Sequence, residues 1–222
     1  EMSRSASPAE TRRRFAGAGI FGALVDEDAG GLGLDPLTAS ALVAAAGRVL
    51  FADAVLETLV TARFASRMAP DVALALIGGE AACAVSALPP LSISASGRLD
   101  GFVGATPFAD SADFLLAVAE SPDGARLVLV DLKSSGVRRA SVDVLDLDRS
   151  YGSIACDGVG PLADSEAAAE FTALLQALRA TWLQANARQV LDLAIESLSV
   201  REQFGRILIA MPVVRHALAH AG

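Results

Sequence analysis

The hydrophobic rhythm of the chain changes twice along its length. From about Ala9 to Gly79, apolar residues recur at steps of three and four, the spacing that lines one face of a helix. A helix is predicted from Pro36 to Val49. Asp35 stands as its cap, Pro36 takes its first position, and Gly47 falls near its end. Its apolar side carries Leu37, Ala41, Leu42 and Ala45. A second helix is predicted from about Asp53 to Met68, with Leu56, Leu59, Val60 and Phe64 together and Pro70 as its stop. A short third covers Asp71 to Ile77 and ends at Gly78-Gly79.

From Ala81 to about Val159 the pattern becomes short apolar runs split by turn residues. "CAVSAL", "SISAS", "FLLAVA", "RLVLVDL" and "SIACDGV" are predicted strands. Ser96-Gly97, Asp100-Gly101, Asp123-Gly124 and Asp157-Gly158 are predicted turns, with Asp123-Gly124 at the tip of the clearest hairpin. Turns at about ten-residue intervals predict a small barrel or sandwich. From Ser165, a candidate cap, the helical spacing returns. Phe171, Leu174, Leu178, Trp182 and Ala185 form one stripe; Leu183, Ala187, Val190, Leu191, Ala194 and Leu198 form another. A helix apolar on two faces belongs inside a bundle. Helices, then strands, then helices is not the alternation of a doubly wound sheet. The expectation is an α+β chain of three parts: an N-terminal α-helical domain over 1–80, a middle β-barrel domain over 81–164, and the start of a C-terminal helical bundle over 165–222.

Composition narrows the function classes. At 53% hydrophobic and 20% charged residues, the 222-residue chain can bury a large core and is not a disordered protein. Its net charge of −8 disfavours nucleic acid as a partner, because that affinity comes from Lys and Arg displacing phosphate counterions. Lys133 is the sole lysine, so a phosphate contact falls to arginine or backbone amides. Cys83 and Cys156 are far apart and form no C-x-x-C pair, which reads as two small buried hydrophobes in a reduced compartment. No apolar run reaches the roughly 18–20 residues of a membrane span, and the N-terminus lacks the apolar stretch of a signal peptide. The expected location is cytoplasmic, with no membrane partner.

Most of the candidate chemistry has a structural reading. "GGLG" (Gly30, Gly31, Gly33) lacks the full G-x-G-x-x-G spacing and suits a tight lead-in to the helix after Asp35. No G-x-S-x-G elbow supports a serine nucleophile. His216 and His220 are four apart, yet no third ligand accompanies them, so no metal site is assigned. "REQFG", taken alone, reads first as solvated helix ends and a C-cap glycine, yet it also offers an anion site. Arg201 and Arg206 beside the Phe204-Gly205 break offer guanidinium forks that match phosphate oxygens.

"REQFG" after a long helix resembles the R-x-Q-F-G motif of the acyl-CoA dehydrogenase family. Three further segments agree in order: "FGALVDEDAGGLGLDPLTASALVAAAGRVL", "RLDGFVGATPFADSADFLLAVA" and "VDVLDLDRSYGSIACDGV". The resemblance runs from about Phe15 to Ala219 and is nearest to subunits of heteromeric bacterial members. It implies a helical domain, a β-domain and a four-helix bundle. It also implies FAD as cofactor, an acyl-CoA substrate in fatty acid or steroid side-chain catabolism, and α,β-dehydrogenation of the thioester. By position in the motif, Arg201, Gln203 and Phe204 would contact the pyrophosphate and adenine end of the FAD of a neighbouring subunit. That arrangement implies a homo- or hetero-oligomer through the C-terminal helices.

The chain departs from the family in ways that bear on catalysis. The family's T-E-P-x-x-G-S-D motif is absent; "VSALPPLSISASG" stands there, with Ser86 as a loose counterpart. Thr106 in "GATPF" is the counterpart of a second flavin-contacting hydroxyl. Glu166, Glu170 and Glu196 lie on the helix before "REQFG", where some members keep their catalytic glutamate, but none is assigned as base. Two functions follow: an FAD-dependent acyl-CoA dehydrogenase or part of one, and a non-catalytic partner subunit that contributes FAD contacts across an interface.

Overall fold

The Asp35 cap and the apolar face of the second helix come out as the spacing predicts, but the face predicted for the first does not: Leu37, Ala41 and Ala45 are exposed, and Ala39, Val43 and Ala46 are buried instead. A computed structural model describes residues 8–49, 54–146 and 149–221. Its first helices are α1 (Pro8–Gly17), α2 (Pro36–Gly47), α3 (Val55–Met68) and α4 (Pro70–Ile77). Asp35 does cap α2: its Oδ1 accepts the Leu37 and Thr38 amides at 2.9 and 3.1 Å, and the Thr38 hydroxyl donates to Oδ2 at 2.6 Å. The expected start of the second helix at Asp53 lies outside the described residues; α3 is seen from Val55.

The Thr38 hydroxyl first, then the backbone amides, hold the Asp35 carboxyl below the usual carboxylate range. A depressed folded-state pKa means this stabilisation is present above the unfolded value, about 3.9, and is lost as pH falls through the folded value. Asp35→Asn keeps a capping oxygen but does not titrate. The stability gap between Asp35→Asn and the native chain should therefore narrow below about pH 4, as read by thermal melts across pH.

The glycines before α2 make a packing turn. A Cβ on Gly31 would lie 2.1 Å from the Val25 carbonyl oxygen, so only glycine fits. The Gly33 amide donates to that same oxygen at 2.8 Å.

The β-region is one seven-stranded sheet of β1 (Cys83–Ile93), β2 (Leu99–Pro107), β3 (Phe114–Ser121), β4 (Gly124–Asp131), β5 (Val137–Ser141), β6 (Tyr151–Val159) and β7 (Ala163–Ser165). The strand order is β5-β6-β2-β1-β3-β4-β7, with β1 and β3 parallel and the other pairs antiparallel. A single buried cluster gathers Leu91 of β1, Val103 of β2, Leu115 of β3, Val128 and Val130 of β4 and Ile154 of β6, with Val137 of β5 against it. Strands far apart in the order thus share one interior, which requires the sheet to curl around it.

Four details correct the sequence expectations. "CAVSAL" and "SISAS" are one strand, β1, interrupted where its pairing with β3 jumps from Ser86↔Ala117 to Leu91↔Ala119. Pro89 and Pro90 fall in that interval of the sequence. Asp100-Gly101 and Asp157-Gly158 are not turns but irregular points within β2 and β6, where the Asp100 carboxylate accepts the Gly158 amide at 2.7 Å. The β3–β4 loop is Pro122-Asp123, since Gly124 already pairs with Ser121. Ser165 ends β7 and accepts the Ala167 amide at 3.4 Å, so α5 (Ala168–Val200) begins two residues later than a Ser165 cap would place it.

The chain divides into two compact units, Glu1–Ala39 with Phe51–Ala177, and Ser40–Leu50 with Leu178–Gly222. In the first, the buried side of α3 meets β1, and Phe64 meets Phe171 edge-on with ring centroids 5.6 Å apart. Arg63 donates to the Leu24 carbonyl at 3.3 Å and to Glu170 at 3.0 Å. In the second, Gly47 lies against Trp182 and Ala185, and Asp192 accepts from Arg48 at 3.1 Å and forms an ion pair with Arg188 at 3.2 Å. Cys83 and Cys156 are free and buried; burial pushes the Cys83 thiol up to about 12, which makes it inert. Among the described residues, no helix is long and apolar enough to cross a membrane, and no group of three or more His, Cys, Asp or Glu is placed to hold a metal.

Candidate functional site

The "REQFG" segment folds into a hairpin as soon as α5 ends. β8 (Glu202–Gln203) pairs with β9 (Arg206–Ile207), with Gln203 opposite Arg206 and Glu202 opposite Ile207. The two loop residues, Phe204 and Gly205, have φ of 54° and 70°. Positive φ at both centres is the mark of a type I′ turn, whose twist suits a two-residue hairpin. Glycine adopts it freely; phenylalanine does so at a cost of about 1–2 kcal/mol. The Phe204 ring is 89% exposed, so no packing within the chain offsets that cost.

Arg201 is the hinge between α5 and the hairpin. Its amide donates to the Ser197 carbonyl at 3.1 Å, and its carbonyl accepts the Leu208 amide at 2.9 Å. The side chain is exposed and pairs with no carboxylate among the described residues. An uncommitted guanidinium, the Gln203 amide and a bare aromatic ring thus stand within four residues. That set suits a ligand with a phosphate group and a planar base. After a turn at Leu208–Ala210, α6 (Pro212–Ala221) carries His216 and His220, both exposed. A groove of about 410 Å³ in this unit is lined by Ile195, Ile209, Ala210, Arg215 and Leu218.

Ser86 and Thr106 lie in the other unit, on the neighbouring strands β1 and β2. Ser86 is half-buried at the break in β1, and its hydroxyl donates to the Leu88 carbonyl at 3.2 Å. Thr106 is buried near the end of β2, opposite Gly152, and donates to the Gly104 carbonyl at 3.0 Å. Its oxygen keeps lone pairs able to accept from a ligand.

Two of the three glutamates before the hairpin are engaged in ion pairs. Glu170 pairs with Arg63, and Glu166 lies 3.3 Å from an Arg126 guanidinium that also holds Asp164. Glu196 is exposed on α5. The sequence reading missed the turn after Thr106, where Phe108 is a second non-glycine residue with positive φ, 61°, and unlike Phe204 is buried. Nothing in "TPFADSAD" signals a left-handed phenylalanine, because tertiary contacts impose it.

No family model matches the chain, and no curated protein matches it. Solved structures do. A variant of the steroid ACAD Tcur3481-Tcur3483 is 28% identical with a TM-score of 0.87, over 98% of this chain and 65% of that one. The chain is a divergent acyl-CoA dehydrogenase-like protein. The ChsE4-ChsE5 complex from Mycobacterium tuberculosis follows at 23% identity and TM-score 0.86, over 99% of this chain and 65% of that one. A glutaryl-CoA dehydrogenase from Mycobacterium smegmatis, in complex with FADH2, shares the fold at 16% identity and TM-score 0.74, over 96% and 63%. This acyl-CoA dehydrogenase-like chain therefore spans 65% of the length of the first two solved relatives.

Proposed function

We propose that this chain is the flavin-contacting part of an FAD-dependent acyl-CoA dehydrogenase assembly. The observation that carries the reading is the hairpin at the end of α5. An exposed phenylalanine is held in a strained backbone conformation beside an uncommitted arginine, and strain of this kind collects at ligand-binding sites. In this reading Arg201 and Gln203 hold the pyrophosphate and Phe204 stacks on the adenine of FAD belonging to a neighbouring subunit. Thr106 and Ser86 offer hydroxyls toward the flavin. When bound, FAD supplies the two-electron acceptor for α,β-dehydrogenation of an acyl-CoA thioester. The neighbouring subunit docks through the C-terminal helices, where α5 leaves Leu183, Val190, Leu193 and Val200 exposed.

A second reading, the non-catalytic partner subunit, is favoured by the glutamates. Glu170 is tied to Arg63 and Glu166 to Arg126, so neither is poised as a base. One experiment separates the two readings. Protein purified with its co-expressed genomic neighbours should show the visible flavin band. Anaerobic addition of a straight-chain or steroid side-chain acyl-CoA should bleach it. Bleaching that survives Glu166→Gln, Glu170→Gln and Glu196→Gln in this chain assigns the base to the partner. Absence of the band in every combination would overturn both readings.

The turn itself gives a further expectation. Phe204→Asn places a residue that tolerates the left-handed region before Gly205. The variant should melt no lower than the native chain, with stability higher by up to about 1 kcal/mol, yet retain less FAD. Lower stability together with unchanged FAD retention would show that Phe204 serves the fold instead.

A further inference from the structure

We infer that Arg139 and Ser150, with Gly152, position the Thr106 end of β2 for the flavin by clamping the strained turn that follows it. The inference rests on the reading of Thr106 given above and extends it to residues to which the family resemblance assigns no role.

The turn begins immediately after Thr106 and Pro107. Phe108, buried and with φ of 61°, reverses the chain, and its carbonyl accepts the Ser111 and Ala112 amides at 3.1 and 2.8 Å. A bulky residue keeps such a conformation only where its surroundings over-determine it. Here those surroundings come from β5, from β6 and from Ser150 just before it. The Phe108 amide donates to the Ser150 carbonyl at 2.8 Å, and the Ser150 hydroxyl donates to the Asp110 carboxylate at 2.7 Å. Arg139 reaches from the edge strand β5 and donates to the Ala112 carbonyl at 2.8 Å and the Asp110 carbonyl at 3.4 Å. Gly152, paired with Thr106, leaves room for the turn, since a Cβ there would lie 2.5 Å from the Asp110 nitrogen.

The geometry places the cost of the strained turn one step from Thr106 and its restraints on, or just before, the two strands beyond it. Because the Ala109 amide donates to the Thr106 carbonyl at 3.3 Å, movement of the turn is passed directly to that residue. Arg139 is exposed on an edge strand and contributes little to the core, so its removal tests position without unfolding the sheet. Arg139 and Ser150 act here as positioning residues, through Thr106.

The test is a double-mutant cycle on flavin affinity, using the complete protein with any co-purifying partner, stripped of flavin and titrated with FAD. Thr106→Val and Arg139→Ala should each weaken binding by about three- to tenfold, the range of one lost neutral hydrogen bond. The double variant should bind no worse than the weaker single one, because residues acting through one another are non-additive. Both variants should shift the visible flavin band in the same direction. Arg139→Lys should recover part of the loss, and Ser150→Ala should reproduce it from the other side of the turn. Additive losses would overturn the inference, as would a fall in melting temperature with unchanged affinity. If Thr106→Val weakens binding while Arg139→Ala and Ser150→Ala do not, the clamp fails and the Thr106 reading stands. If Thr106→Val has no effect, or the native protein takes up no FAD, the inference and that reading fail together.

Discussion

Arg201→Ala is expected to weaken FAD retention by roughly ten- to a hundredfold while leaving the melting temperature unchanged. The first half follows from the chemistry of the pair. A guanidinium is a planar fork of donors, and each charge-assisted bond to a phosphate oxygen is worth about 1.5–3 kcal/mol, or about one to two decades of affinity. The second half follows from the position of the side chain. It is exposed and unpaired among the described residues, and it ends α5 without packing into a core. Its backbone bonds to Ser197 and Leu208 survive the substitution. Lysine should rescue only partly, since an ammonium cannot reproduce a bidentate contact. Flavin content and melting temperature measured on the same preparation decide the matter. Unchanged FAD retention would remove Arg201 from the site, and a large fall in melting temperature would assign it to the fold.

Phe171→Ala should produce the largest loss of stability, about 3–5 kcal/mol, the range for deleting a buried aromatic ring. The ring is fully buried and meets Phe64 edge-on, joining the first turns of α5 to α3. Phe64→Ala should cost a similar amount. The double variant should cost less than the sum, by the roughly 0.5–1.5 kcal/mol that an aromatic pair contributes beyond its buried area. Urea unfolding of the three variants measures all of these. A loss below about 1 kcal/mol for Phe171→Ala would mean that α5 is held to this unit by other contacts.

Much of this protein is legible in single residues and their spacing. Asp35 before Pro36 foretells a cap, because a carboxylate two and three residues ahead of free amides has partners wherever the helix forms. The end of α3 before Pro70 follows from a missing amide and a fixed φ. The Phe204-Gly205 break and the arginine before it mark the candidate site, since the residues lie within one short segment. These are local properties, and local properties are written in sequence.

What the sequence leaves open depends on neighbours distant along the chain. Asp-Gly pairs read as turns, yet Asp100-Gly101 and Asp157-Gly158 lie within paired strands, because β2 and β6 happen to adjoin and share the irregularity. β5, "VRRAS", shows no apolar run and is not predicted at all; it is a strand because β6 offers an edge to pair with. Phe108 takes a left-handed conformation because Ser150 and Arg139, dozens of residues away, hold the turn around it. Sequence alone determined the succession of a helical, a β and a helical region, the Asp35 cap, and the arginine-phenylalanine motif at the end of α5, since each rests on interactions between residues a few positions apart. Only the tertiary structure decided which strands adjoin, where their pairing slips, and which residues are held in strain beside Thr106, because those outcomes come from contacts that chain folding, not chain spacing, brings together.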